Sequence, residues 1–126
     1  MKRILIVDDD PGHRLLMKRA LKDRTDISLD EAEGCKQAHE RLGILPRPAL
    51  VLLDLNLSGE SGLELLTRLR ATLSLEEFPV AIISTSPLLS DIEAAYAAGA
   101  NCYLAKAEEP AEFLLQISCA VRFFIP

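Results

Sequence analysis

The chain has 126 residues, of which 49% are hydrophobic and 26% are charged, a balance typical of one globular domain that folds by itself. Its 19 acidic residues outnumber its 14 lysines and arginines, so the formal net charge is -5. This charge argues against direct binding to nucleic acid or to an anionic membrane surface.

The first part of the chain predicts two strands, each followed by a helix. Residues 4–7 form an apolar run that predicts a strand, and Asp10 is the predicted N-cap of a helix that begins at Pro11. This helix carries residues at helical spacing: His13, Leu16, Met17, Ala20 and Leu21. Residues 27–32 alternate apolar and polar side chains, like a half-exposed strand, and Gly34 leads into a second helix. The apolar positions of that helix are Cys35, Ala38 and Leu42.

Three further strands are separated by helices. Residues 49–53 form a continuous apolar run, which is typical of a central parallel strand buried on both faces. Residues 58–62 have the composition of a loop, and Pro79 introduces a fourth buried strand at residues 80–83. The third helix has apolar residues at Leu65, Leu66, Leu69 and Leu73. Cys102–Ala105 is the predicted fifth strand.

The last two helices complete the predicted order. Ser90 is the predicted N-cap of the fourth helix, and Gly99 is its predicted end. That helix carries Ile92, Ala95 and Tyr96. The fifth helix begins near Pro110 and directs four residues toward the core: Phe113, Ile117, Val121 and Phe124. Strands that alternate with helices in this way predict a three-layer α/β fold with a parallel sheet and right-handed crossovers.

Polar or charged residues directly follow four of the five predicted strands. They are Asp8, Asp9 and Asp10, then Asp54, then Ser84 and Thr85, and finally Lys106. Because parallel strands end at the same edge of a sheet, these side chains are expected to converge there. Converging carboxylates repel one another, and Lys106 together with a hard divalent ion such as Mg²⁺ would balance their charge. The pattern therefore predicts a site for Mg²⁺ and a phosphoryl group.

Each of these residues alone also has a purely structural explanation. The acidic triplet could be a solvated loop with a helix cap, and Asp54 could form a turn with Asn56. The hydroxyls of Ser84 and Thr85 could bond to the backbone, and Lys106 could be a surface charge. Their joint occurrence at one sheet edge favours the functional explanation, because a nucleophile, a cation site and a charge stabiliser are all present.

With these motifs the chain resembles the receiver domain of two-component response regulators over essentially its whole length. The motifs are Ile-Leu-Ile-Val-Asp-Asp-Asp at residues 4–10, Leu-Val-Leu-Leu-Asp-Leu-Asn at 50–56, Ala-Ile-Ile-Ser at 81–84 and Tyr-Leu-Ala-Lys at 103–106. The resemblance implies a doubly wound (βα)5 fold of the flavodoxin-like, CheY-like type with strand order 2-1-3-4-5.

The resemblance also implies roles for the residues at the strand ends. Asp54 would be the phosphoacceptor, which takes a phosphoryl group from a histidine of a sensor kinase. Asp9 and Asp54 would bind Mg²⁺ with the backbone carbonyl of Asn56, and Asp8 would act through the waters of the metal. Lys106 would offset the charge of a transition state that is stabilised mainly by positioning and cations.

Ser84 and Tyr103 are the implied switch residues. The hydroxyl of Ser84 would turn toward the phosphoryl oxygen and the rotamer of Tyr103 would follow, which would change the surface around the fourth and fifth helices. The expected partners are a sensor histidine kinase and a downstream protein target or phosphotransfer protein. We expect a stand-alone signalling domain rather than an enzyme, since it would catalyse only its own phosphorylation and dephosphorylation.

Three positions depart from the usual pattern of the family. Lys106 is followed by Ala107, where most receivers carry proline, so we expect a trans peptide or a strained cis peptide and a less well defined position for the lysine amine. Ser58 also stands where proline is usual, and it is expected to loosen its loop without touching the chemistry. Thr85 replaces a small alanine at the mouth of the site.

Short motifs in the second half of the chain resemble those of small regulators that serve bacterial phytochrome kinases. They are Ser-Thr-Ser at residues 84–86, Asn-Cys-Tyr-Leu at residues 101–104 before a lysine without a following proline, and the pair Phe123 and Phe124. Members of this group often form homodimers. Both phenylalanines cannot point inward from one helix, so an exposed aromatic ring at a dimer contact is one explanation. The other is that the C-terminal turn packs against its own domain.

Three alternative functions are weighed against the receiver. A pseudo-receiver, which binds partners without phosphorylation, is disfavoured because the acidic pair, Asp54, Ser84 and Lys106 are all present. A phosphohydrolase with an aspartate nucleophile is also disfavoured. Those enzymes resemble a pattern with a second aspartate, which acts as acid and base two residues after the nucleophile, and this chain has Asn56 there. A flavin-binding domain is disfavoured because the acidic cluster would repel the flavin phosphate.

Cysteine usage and the start of the chain indicate a cytoplasmic protein. Cys35, Cys102 and Cys119 are odd in number and lack the spacing of a zinc site, as expected of reduced thiols. No export signal or bilayer-spanning segment is expected, because the longest apolar run covers only residues 94–100. We expect residues 1–126 to form a single receiver domain without a disulfide or a structural metal.

Overall fold

The computed structural model describes residues 1–71 and 77–126, and these two ranges form five helices and a central parallel sheet. The strands of this sheet are β1 (Lys2–Val7), β2 (Ile27–Ala32), β3 (Leu50–Leu53), β4 (Val80–Ser84) and β5 (Cys102–Ala105). Their order is β2-β1-β3-β4-β5, with every neighbouring pair parallel. The α/β fold and the strand order that the resemblance implies are therefore confirmed.

The helices connect the strands in the predicted alternation. They are α1 (Pro11–Ala20), α2 (Cys35–Leu42), α3 (Gly62–Arg70), α4 (Leu89–Ala98) and α5 (Pro110–Phe124). Leu73, which we assigned to the third helix, lies outside the described residues. None of the helices in the described ranges combines the length and the apolar character that a bilayer crossing requires.

Apolar side chains of the central strands alternate between two core layers, which explains why those strands are continuous apolar runs. On one face, Leu5, Val51 and Ile82 pack with residues of α2, α3 and α4. On the other face, Ile6 and Leu52 pack with residues of α1 and α5. The contributions of α1 and α5 to this second layer include Met17, Phe113, Ile117 and Val121. The polar groups at the carboxyl ends of the strands thus rest on a rigid apolar support.

A short β-hairpin follows β3, where the sequence composition predicts only a loop. Asn56–Leu57 pairs antiparallel with Glu60–Ser61, and we call this segment the β3–α3 hairpin. Its two turn residues have positive φ angles, 48° at Ser58 and 87° at Gly59, as a two-residue turn between antiparallel strands requires. Since proline fixes φ near −65°, the conformation at Ser58 is one that the proline usual in the family cannot adopt.

Helix ends agree with the sequence at α1 and differ at α4. The Asp10 carboxylate accepts hydrogen bonds from the backbone amides of Gly12 (2.8 Å) and His13 (3.3 Å), as predicted for an N-cap. Ser90, in contrast, is not the cap of α4, because the helix already begins at Leu89 and Leu88 holds the extended N-cap backbone.

The first turn of α4 is tied down from the preceding loop, where the Ser86 hydroxyl donates a hydrogen bond to the carboxylate of Asp91. At the other end of the helix, Gly99 adopts the left-handed conformation with φ of 106°, which confirms it as the end of α4.

The two C-terminal phenylalanines differ in environment. Phe124 is partly buried and packs against the core layer formed with α1 and α5, as predicted. Phe123 is 79% exposed and meets the ring of Phe124 edge to face, with ring centroids 5.0 Å apart. One ring of the pair is therefore exposed on the surface of α5.

Replacing Gly62 by alanine is expected to lower the free energy of unfolding by about 2–4 kcal/mol. A Cβ atom at this buried position would overlap the backbone oxygen of Asp54 and lie 3.0 Å from the Cα atom of Leu55. Gly43→Ala is the matched control, because a Cβ atom there meets backbone oxygens only at 3.5 Å and 3.7 Å. Urea unfolding of both variants measures the difference, and equal stabilities would contradict the expected overlap.

Candidate functional site

Three carboxylates meet at the carboxyl edge of the sheet. Asp8 and Asp9 follow β1, Asp54 follows β3, and the parallel register places Val7 opposite Leu53. One carboxylate oxygen of each aspartate lies within 4.8 Å of the other two. Asp8 and Asp54 are buried, whereas Asp9 is partly exposed. Such a set of oxygen donors, open on one side, fits a hard divalent cation that keeps some of its waters.

Lys106 joins this cluster from the end of β5. Its amine donates hydrogen bonds to Asp8 Oδ2 at 2.8 Å and to Asp54 Oδ2 at 2.9 Å, and its side chain is only 4% exposed. The backbone explains this position, because the amide of Lys106 donates to the carbonyl of Ser84 at the end of the neighbouring strand β4 (2.6 Å). The structure therefore brings Asp8, Asp54 and Lys106 into direct contact.

The peptide bond between Lys106 and Ala107 is trans, and the amine lies 2.8 Å from Asp8 Oδ2. The amide of Ala107 donates to Gln116 Oε1 at 2.9 Å, and Gln116 Nε2 donates to the carbonyl of Ala105 at 2.8 Å. A proline at position 107 could not make the first of these bonds, because it has no N–H.

His13 belongs to the site, although its spacing in α1 suggested only a position facing the core. Its Nδ1 atom lies 2.8 Å from the amine of Lys106 and 3.4 Å from a carboxylate oxygen of Asp10. Because a lysine ammonium group only donates, Nδ1 accepts in the first contact when the ring is the neutral tautomer that carries its proton on Nε2. The sequence offered one signal that His13 belongs to the site. The residue comes three positions after Asp10, in the first turn of a helix that starts at the acidic loop.

Ser84 and Tyr103, the two predicted switch residues, are connected through Ser86. The buried Ser84 hydroxyl accepts a hydrogen bond from the amide of Ser86 at 3.2 Å. The Tyr103 hydroxyl donates to the carbonyl of Ser86 at 2.7 Å. One residue of the loop between β4 and α4 thus contacts both side chains, so a movement of this loop affects both. Thr85 is exposed at the surface of the same loop.

The β3–α3 hairpin also contacts the acidic cluster. The Ser58 hydroxyl donates to Asp9 Oδ2 at 2.5 Å, and the amide of Asn56 donates to Asp54 Oδ1 at 3.1 Å. The expectation that Ser58 loosens its loop without touching the chemistry is therefore wrong, since its side chain ties the hairpin to Asp9. The side chain of Asn56 is exposed, and a metal contact of its carbonyl stays a prediction.

Burial and hydrogen bonds shift the pKa values of two aspartates in opposite directions. Burial raises the pKa of Asp8 above its ordinary value, and hydrogen bonds from Lys106 and the Asp10 amide offset this only in part. Desolvation also acts to raise the pKa of Asp10, but hydrogen bonds from the amides of His13 and Gly12 outweigh it and lower the pKa. Asp10 thus serves as a helix cap, while Asp8 is a buried carboxylate whose charge calls for a cation.

Comparison with known proteins identifies the family to which this chain is similar. The sequence profile of the response regulator receiver domain matches residues 4–118. Response regulator Rcp1 of Synechocystis sp. is 30% identical over 98% of this chain and 89% of its own length. The nitrate/nitrite response regulator protein NarL of Escherichia coli is 38% identical over 88% of this chain. The chain spans only 50% of the length of NarL, so the receiver is one part of that protein.

Two solved structures resemble the fold closely. The crystal structure of the Mn²⁺-bound form of Rcp1 superposes with a TM-score of 0.89 at 30% identity and covers 99% of this chain and 95% of that chain. The crystal structure of the phosphorylated cyanobacterial phytochrome response regulator RcpA gives a TM-score of 0.91 at 27% identity, with 98% and 94% covered. Rcp1 has thus been crystallised with a divalent ion and RcpA in a phosphorylated form.

In the absence of metal, the contribution of Asp8 to the free energy of unfolding is expected to fall as the pH rises above about 4. The pKa of Asp8 is raised in the fold above the unfolded value of about 3.9, so the folded state binds more protons between the two values, and stability is lost as the pH rises through the folded pKa. Asp8→Asn removes this contribution. Urea unfolding of the wild type and of Asp8→Asn, with a chelator present and at several pH values, measures this contribution. If the free energy of unfolding of the two proteins changed with pH in parallel, the expectation would be refuted.

Proposed function

The chain belongs to the response regulator receiver domain family, and on this basis we propose that it accepts a phosphoryl group on Asp54 from a histidine of a sensor kinase. The observation that carries the proposal is the amine of Lys106, which bridges Asp8 and Asp54 beside the carboxylate of Asp9. Receiver domains are signalling modules, so the product is a signal rather than a released metabolite. We therefore assign the chain no turnover of other substrates.

The reaction follows from the groups around Asp54. A carboxylate oxygen of Asp54 forms a bond to phosphorus while the bond between phosphorus and the histidine nitrogen breaks, and the nitrogen keeps the electron pair and then binds a proton. Lys106 lies within hydrogen-bond distance of Asp54 Oδ2 and stabilises the charge on the transferred group. Mg²⁺, held by Asp9, Asp54 and the Asn56 carbonyl with Asp8 acting through its waters, would neutralise charge on the phosphoryl oxygens.

The geometry disfavours the alternative of a pseudo-receiver that works without phosphorylation. Such a module has no need of a buried ammonium group held between two buried carboxylates, which costs free energy unless a further ligand uses it. The alternative of a phosphohydrolase also loses support, because the exposed amide side chain of Asn56 cannot act as a general acid or base. A cation site that also binds phosphate explains both the burial and the charges.

The signal would leave the site through the loop between β4 and α4. In the phosphorylated state the hydroxyl of Ser84 turns toward a phosphoryl oxygen, and the amide of Ser86 then loses its present partner. Because the carbonyl of Ser86 also accepts the Tyr103 hydroxyl, the tyrosine side chain responds to the same movement. The surface of α4, β5 and α5 changes as a result and is recognised by a target or phosphotransfer protein.

The kinase partner is of the phytochrome type, and residues 1–126 act as a receiver domain in the cytoplasm. Similarity to RcpA, a phytochrome response regulator, supports the choice of kinase, since 98% of this chain matches it. The match to 89% of the length of Rcp1, a response regulator, supports a receiver domain that acts in signalling. The odd number of cysteines, without the spacing of a zinc site, supports a reducing compartment.

A homodimer through the α5 face forms part of the same proposal. A groove of about 660 Å³ between β5 and α5 has a mainly apolar lining that includes Leu104, Leu115 and Phe123. Leu115 is 64% exposed and Phe123 is 79% exposed, so the two side chains form an apolar surface beside the groove. A second copy of the chain would bury both copies of this surface across a two-fold axis.

Incubation with acetyl phosphate and Mg²⁺ is expected to add one phosphoryl group to the wild-type protein and none to Asp54→Asn. Asp23→Asn is the matched control, because Asp23 is an exposed aspartate away from the strand ends. Chelation of Mg²⁺ is expected to prevent the reaction, since converging carboxylates repel the incoming phosphate. Intact-protein mass spectrometry detects the adduct. A phosphate adduct on Asp54→Asn, or none on the wild type, would refute the proposed function.

Phe123→Asp is expected to abolish the homodimer, because it places a charge in the apolar contact on α5. Leu88→Asp is the control, since Leu88 is 60% exposed but precedes α4 rather than lining the α5 groove. Sedimentation velocity at several protein concentrations separates monomer from dimer. A monomeric wild type, or equal association of all three proteins, would rule out this contact.

A further inference from the structure

The backbone around Lys106 has an inner and an outer edge with different partners. β5 is the last strand of the sheet and pairs with β4 on one side only. On that inner edge the amide of Lys106 donates to the carbonyl of Ser84 at 2.6 Å. On the outer edge the neighbouring peptide groups, the carbonyl of Ala105 and the amide of Ala107, face no further strand and need another partner.

The side chain of Gln116 supplies both partners at once. Its Nε2 atom donates to the carbonyl of Ala105 at 2.8 Å, and its Oε1 atom accepts from the amide of Ala107 at 2.9 Å. A carboxamide carries a donor and an acceptor side by side, so it pairs with a strand edge as the peptide group of another strand would. Glutamate keeps only the acceptor, and methionine keeps neither.

The position of Gln116 is itself fixed by the core. It lies in the middle of α5, next to Ile117 and one turn after Phe113, and both of these residues are buried. The residues before and after Lys106 are therefore tied to a helix that cannot shift without disturbing the apolar layer. In most receivers a proline follows the lysine and restrains the chain there. In this chain the residue is Ala107, so that restraint is missing.

We propose that Gln116 is a positioning residue for phosphoryl transfer, which holds the amine of Lys106 on Asp8 and Asp54 by fastening the peptide groups on either side of it. The inference rests on the proposed function, since it concerns the same reaction. Lys106 makes three contacts, with Asp8, Asp54 and His13, at 2.8–2.9 Å. A displacement of its backbone by about 1 Å would break this geometry and lower the rate, as small misplacements of catalytic groups do.

The test measures phosphorylation by acetyl phosphate in the full chain at saturating Mg²⁺. Gln116→Met is expected to lower the maximal rate constant roughly 5- to 20-fold, and Gln116→Glu is expected to lower it as well, because a carboxylate oxygen would face the carbonyl of Ala105 with no proton to donate. The affinity for Mg²⁺ is expected to stay within about twofold of the wild type, since the three carboxylates are unchanged. Gln37→Met is the matched control, because Gln37 also binds a backbone amide, that of Glu33, on a surface helix.

A double-mutant cycle with Lys106→Ala separates positioning from general damage. If Gln116 acts through the lysine, Gln116→Met is expected to have no further effect on the rate when Lys106 is alanine. An equal loss in both backgrounds, or a wild-type rate for Gln116→Met, would overturn the inference. Absence of phosphorylation in the wild type would instead overturn the proposed function, so the two failures are distinguishable. Loss of the fold in Gln116→Met would appear in its thermal melt, and Gln116→Glu then serves in the cycle.

Discussion

The ammonium group of Lys106 between two buried carboxylates is the constraint on which the rest of the site depends. Asp8, Asp54 and Lys106 each have a side chain that is at most 8% exposed, so water screens their charges poorly. Two carboxylates and one ammonium do not balance, and Asp9 adds a further negative charge beside them. Such an arrangement weakens the fold unless a cation completes it, because buried charges are costly when unpaired. Stability must therefore come from elsewhere, chiefly from the two apolar layers on the faces of the sheet.

The unfavourable cluster of charges can be held at the strand ends because the sheet keeps these ends rigid. The central strands β1 and β3 are buried on both faces, and Asp8 and Asp54 continue directly from them. The hydrogen bonds between the parallel strands fix the direction in which the segment after each strand leaves the sheet. Lys106 is attached to the edge strand β5, which has one neighbouring strand instead of two. It is the element of the site that most needs additional support from side chains, and the contacts of Gln116 and His13 lie there.

Sequence periodicity predicted every strand of the main sheet and the helices between them, because long apolar runs and helical spacing reflect burial directly. The order of the strands came from the resemblance to receivers, since periodicity does not say which strands pair. The predicted N-cap at Ser90 was wrong: serine is a common N-cap residue, but the extended backbone at Leu88 sets the start of the helix two residues earlier. The contacts of Ser58 and Gln116 could not be predicted, because each joins segments that only the folded chain brings together. The roles of Asp54, Asn56 and Ser84 in phosphorylation stay predictions.

The three contacts of Lys106 also limit how the proposed switch can work. An ammonium group has three protons, and Asp8, Asp54 and His13 already occupy the three directions. A phosphoryl oxygen on Asp54 can therefore bind Lys106 only in exchange for one of these acceptors. The exchange keeps the number of hydrogen bonds to Lys106 constant, so the free energy of the phosphorylated state depends on the charge of the acceptor that is gained and lost rather than on an added bond. A reversible switch requires that neither state is strongly favoured, because such a state would not respond to the gain or loss of one phosphoryl group.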